Sequence, residues 1–117
     1  MTDGLADRAC VPCRRGAPPL ARDEAERLAA RVPAWTVSPD GTRLSRRLTF
    51  GTFAEALDLV VRVSALAEAE NHHPDIAFGW GYAEMSLTTH AIGGLHLNDL
   101  VMAAKIDRLA RPERAPR

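Results

Sequence analysis

Two adjacent imidazoles, His72 and His73, stand in the stretch "AENHHPDI" between the end of an apolar-periodic segment and a proline, and His90 and His96 follow further along. Imidazole titrates near neutral pH and can donate or accept a proton, whereas neighbouring carboxylates repel and stay ionised, so the pair is a candidate acid/base set. Pro74 disfavours the α conformation at His73, so a helix arriving from upstream must fray there and the two side chains diverge. Both rings can then face one cavity. Glu68 lies four residues before His72, which on a helix sets a carboxylate beside that ring and lets it fix the tautomer. Asp99 can do the same for His90 or His73, or can sit in the first turn of the last helix as a favourable charge.

Other chemistries fit these residues less well. A metal site built from His72, His73 and His90 is disfavoured, because adjacent ligands have difficulty reaching one ion and the H-E-x-x-H spacing is absent. The two cysteines, Cys10 and Cys13, are spaced C-x-x-C, which suits a redox pair or half of a zinc site. Neither a βαβ unit nor a second cysteine pair accompanies them, so a role outside direct chemistry is preferred. His96 reads as a surface or satisfied residue, and Trp35 and Trp80 as core aromatics, either of which can form a flat wall against a planar ring.

The elements that must position these groups follow from periodicity. Residues 1–19 carry Gly4, Gly16 and three prolines without an apolar period, which predicts a flexible N-terminal extension able to drape over a domain of residues 20–117. Good helix formers from Ala21 to Val32 predict a short amphipathic helix closed by Pro33. Pro39-Asp40-Gly41 is a turn signal between two short runs, and Leu44, Leu48 and Phe50 alternate with polar residues as a strand does, although Arg46 interrupts the apolar face. Thr52 and Glu55 form a capping box for the strongest helix, residues 52–70. Its inward-capable positions wrap two stripes, one through Phe53, Leu57, Val60, Val61, Ser64 and Ala67 and one through Ala56, Leu59, Val63 and Leu66. A helix with so little polar surface expects cover on two sides, the second from another subunit, or else one wide stripe facing its own sheet. Residues 75–89 predict a second hairpin bent at Gly79 and Gly81, and Leu97–Leu109 a final helix. The order is α-β-β-α-β-β-α, an α+β fold with three helices on one face of a four-stranded antiparallel sheet.

Bulk composition narrows the partners. A chain of 117 residues suits one domain. Fifteen basic and fifteen acidic residues give a net charge of zero, which excludes a broad field for nucleic acid or anionic lipid and favours a small, nearly neutral partner. No apolar run approaches the roughly 20 residues of a bilayer span, and the N-terminus lacks the apolar core of a secretory signal, so the expected location is cytoplasmic.

Taken together, "EAENHHP" at 68–74, "SLTTH" at 86–90, "GGL" at 93–95, Asp99, "AAKID" at 103–107 and "VPAW" at 32–35 resemble the signature of the pterin-4a-carbinolamine dehydratases. The resemblance covers roughly residues 20–110 and agrees with the α+β fold. It implies a homodimer or homotetramer assembled through the 52–70 helix. It also implies loss of water from 4a-hydroxytetrahydrobiopterin to give quinonoid dihydropterin, with no metal or organic cofactor. By the same resemblance His72, His73 and His90 are catalytic, Glu68 and Asp99 orient them, and Trp35, Pro74, Thr88 and Thr89 border the pterin. Which histidine is acid and which base stays open. His96 stands where many members have Ser or Thr as a helix cap, and Trp80 where Tyr is more frequent. The alternative function is a binding or assembly module without catalysis, since the family also includes coactivators and chaperone-like relatives.

Overall fold

In the computed structural model, which describes residues 4–12 and 16–110, the elements follow the expected order. They are α1 (Arg22–Ala29), β1 (Thr36–Val37), β2 (Leu44–Thr49), α2 (Phe53–Glu70), β3 (Asp75–Gly79), β4 (Tyr82–Leu87) and α3 (Leu97–Ala110), with single 3-10 turns at Leu5–Asp7 and His90–Ile92. The strands form one antiparallel sheet in the order β1-β2-β4-β3. Register sets Leu44 opposite Leu87, Arg46 opposite Met85 and Leu48 opposite Ala83. Because side chains alternate along a strand, these residues share the face that the helices cover, and Leu44, Ala83, Met85 and Leu87 are buried there.

Arg46 does not break that face. Its guanidinium pairs with Asp107 of α3, and the same carboxylate accepts the Trp35 indole N–H at 2.8 Å. A charge carried on an inward position is thus matched by one on the covering helix, as a half-buried ion must be.

Local signals explain the boundaries. Thr52 accepts the Glu55 N–H at 3.1 Å and starts α2, while the Glu55 carboxylate reaches back to the Gly51 N–H at 2.8 Å. Helix α2 buries Ala56, Leu59, Val63 and Ala67. It stops earlier than Pro74 requires: Asn71 takes the left-handed conformation at φ 54°, and the His72 N–H closes on the Ala67 carbonyl at 3.2 Å. Asparagine is among the few non-glycine residues that adopt this conformation readily, so Asn71 ends the helix and the proline acts only on the extended chain beyond it.

The core also begins earlier than Leu20. Leu5 is fully buried and Ala6 nearly so, and their turn packs on α3, where the Lys105 ammonium donates to the Ala6 carbonyl at 2.9 Å. No helix among the described residues is long and apolar enough to cross a membrane.

Candidate active site

The ends of three elements meet at one rim of the sheet. The left-handed turn at Asn71 delivers His72 and His73 from α2, the chain leaving β4 delivers Thr88, Thr89 and His90, and the first turn of α3 brings Asn98 and Asp99. Between them lies an open cavity of about 590 Å³, lined by all three histidines together with Thr88 and Thr89. Its remaining wall comes from Cys10, Val11 and Pro12 on one side and from Glu70, Asn71, Ala91 and Asn98 on the others.

Asp99 organises the rim. It is completely buried, and each of its oxygens is used: Oδ1 meets His72 Nε2 at 2.6 Å, while Oδ2 accepts the Thr89 hydroxyl at 2.7 Å and the His96 backbone N–H at 3.0 Å. A carboxylate here is an acceptor only, so the network assigns the proton of that contact to His72 Nε2 and leaves Nδ1 without a hydrogen-bond partner among the described residues. The His72 side chain retains 13% of its exposure. His73 meets Glu68 through Nε2 at 2.6 Å, in an exposed pair. His90 is exposed at the start of a 3-10 turn, and its ring has no hydrogen-bond partner among the described residues.

The carboxylates are therefore exchanged relative to the sequence reading: Glu68 serves His73 and Asp99 serves His72. The reason is the left-handed residue at Asn71, which breaks the four-residue helical spacing before His72 is reached. Asp99 is also the favourable charge in the first turn of α3. The His96 ring Nδ1 accepts the Asn98 N–H at 3.0 Å as Asp99 accepts the His96 N–H, so this histidine fills the cap position that Ser or Thr would occupy.

Other expected residues fall elsewhere. Trp35 is buried against Asp107 and does not line the cavity, and neither does Pro74. Trp80 stands in the turn between β3 and β4 with 73% of its surface exposed. Thr88 and Thr89 line the cavity, but their hydroxyls are spent as donors, on the Thr42 carbonyl at 2.6 Å and on Asp99.

Sequence reasoning missed Cys10, Val11, Asn98 and Glu70 as parts of this rim. The Cys10 N–H donates to Glu70 Oε1 at 2.8 Å, and burial, reinforced by the Glu70 charge, pushes the Cys10 thiol up to about 11. At neutral pH it is a protonated thiol whose Sγ lies 3.7 Å from the Asn98 carbonyl, unsuited to act as a nucleophile or metal ligand. Cys13 lies outside the described residues. Among the described residues no group of three or more His, Cys, Asp or Glu side chains is gathered to hold a metal ion.

Residues 18–109 match the profile of the family described as pterin 4 alpha carbinolamine dehydratase. The chain belongs to that family. A protein of Rubrobacter xylanophilus, provisionally named a pterin-4-alpha-carbinolamine dehydratase, is 55% identical over 105 residues, 90% of this chain and 97% of that one. In structure, the chain resembles a transcriptional coactivator/pterin dehydratase from Brucella melitensis, with a TM-score of 0.75 at 22% identity over 80% of this chain and 99% of that one, a likeness of fold. It also resembles a pterin dehydratase-like protein described as a RuBisCO assembly factor in the alpha-carboxysome, with a TM-score of 0.57 at 27% identity over 66% of this chain and 89% of that one. Residues 4–12 precede the range that the family profile matches.

Proposed function

We propose that this protein dehydrates 4a-hydroxytetrahydrobiopterin to quinonoid dihydropterin by general acid/base catalysis. One observation carries the reading: His72, His73 and His90, from two separate segments of the chain, line a single cavity. Two of the three rings are also held by a carboxylate.

The reaction needs such a set. The C4a–O bond breaks with the hydroxyl leaving as water, so an acid must protonate that oxygen. The electron pair of the N5–H bond becomes the new C4a–N5 π bond, so a base must take that proton. Rings that each keep one nitrogen free while a carboxylate holds the other can deliver both steps without rotating away. The cavity, about 590 Å³ in volume, has room for a flat bicyclic ring with its substituent.

Purified protein is expected to accelerate decay of the 4a-carbinolamine. His73→Ala should lower kcat on the order of 100-fold with the circular dichroism spectrum unchanged, and a wild type no faster than buffer sinks the reading.

A second reading is favoured by a different feature. Phe53, Leu57 and Val61 form a stripe on α2 that stays 45%, 40% and 57% exposed. These three residues are the outward-facing part of one of the two stripes, and a second copy of this chain is the proposed cover, in a homodimer or homotetramer. A non-catalytic assembly role on the same surface would show a stoichiometric foreign partner together with no turnover.

A further inference from the structure

The segment before residues 18–109, the range of the family profile, is built into the site. Asn98, only 4% exposed, clamps the backbone of Val11 from both sides: Oδ1 accepts the Val11 N–H at 3.0 Å, and Nδ2 donates to the Val11 carbonyl at 2.7 Å. One residue earlier, Glu70 Oε1 takes the Cys10 N–H at 2.8 Å, and Lys105 lies 3.6 Å from the other oxygen of Glu70. Upstream, buried Leu5 anchors the segment to α3, and Asp7 pairs with Arg108 at 3.1 Å.

This pinning contrasts with the side chains it presents. Val11 is 56% exposed although its backbone is fixed, and both it and Pro12 line the same cavity as the histidines. An apolar side chain left in water at the end of a fixed backbone loses little conformational freedom when a ligand covers it, so its contact area converts efficiently into affinity.

We propose that Cys10–Pro12 form a wall of the substrate slot, with Val11 as the apolar contact for the pterin and Asn98 as the positioning residue that holds it there. The proposal rests on the dehydratase reading and adds to it a binding element that precedes residues 18–109, the range that the family profile matches.

The test uses the full chain with three readouts: KM and kcat for the carbinolamine, Kd for biopterin as a non-reacting oxidised pterin measured by fluorescence quenching, and a thermal melt. Val11→Gly and Asn98→Ala are each expected to raise KM and the biopterin Kd about tenfold while kcat stays within about twofold. Should Asn98→Ala fail to fold, Val11→Gly decides alone, since its side chain is largely exposed. KM and Kd within about twofold of wild type in folded variants overturn the wall. A fall in kcat at constant KM also overturns it, by showing that the segment only supports the neighbouring Asp99. An active wild type with insensitive variants removes the wall alone. A wild type that neither turns over nor binds biopterin removes the dehydratase reading and the wall with it.

Discussion

At the scale of single residues, Asp99 ties three segments of the rim together. Its three contacts tie His72, Thr89 and the His96 backbone into one buried cluster, so its neutral replacement should be felt twice. Asp99→Asn is expected to lower kcat at least tenfold and to cost about 1–3 kcal/mol of stability, because the amide must turn a donor toward groups that themselves donate. Steady-state kinetics and urea unfolding on the same preparation check both effects. Cys10 supplies a pH dependence. With its thiol raised by burial from its ordinary value of 9.0 to about 11, the folded state holds the proton more tightly than the unfolded chain. Stability is therefore intact below about pH 9 and declines as pH rises through 11. In a Cys13→Ser background, Cys10→Ala should flatten that decline in thermal melts between pH 8 and 11. That His72, His73 and His90 could meet at one cavity was legible from the order of the elements that carry them. Their carboxylate partners were not, since assigning Glu68 to His72 assumed helical spacing across Asn71, where the backbone is left-handed.

At the scale of elements, the turn at Asn71 decides where two histidines point. A residue at φ 54° is strained for any side chain with a branched β-carbon, whereas glycine adopts the conformation freely. Asn71→Gly is therefore expected to keep the wild-type melting temperature within a few degrees, and Asn71→Val to lose about 1–2 kcal/mol by chemical denaturation. Order and type of the elements were readable because periodicity, the Thr52 and Glu55 cap and the Gly81 turn act locally. Arg46 was harder: its inward position makes sense only with Asp107, which is distant in sequence and adjacent once α3 packs on the sheet. Trp35, read as a core aromatic, is buried, but that its indole N–H is satisfied by that same aspartate could not be read from local sequence.

For the whole molecule, the question is what covers the outer stripe of α2. If a second copy does, one charge at its most exposed position should separate the subunits, because a buried unpaired carboxylate costs more than the apolar contact it replaces. Val61→Glu is expected to shift the sedimentation coefficient to that of a 12.7 kDa monomer without altering the circular dichroism spectrum. Equal coefficients for variant and wild type would remove α2 as the contact. The N-terminal segment was the least legible part of the molecule. Its glycines and prolines hide any period, and its attachment depends on Leu5, Asn98 and Glu70, which meet only in three dimensions. The shared carboxylate at residue 99 has one more implication. It fastens the end of the middle helix, the exit of the last strand and the start of the last helix, so no half-folded intermediate can possess a finished reaction centre. Under the dehydratase proposal, recovery of turnover during refolding would then lag secondary structure and coincide with closure of the last long-range contacts, making product formation a clock for the final folding step.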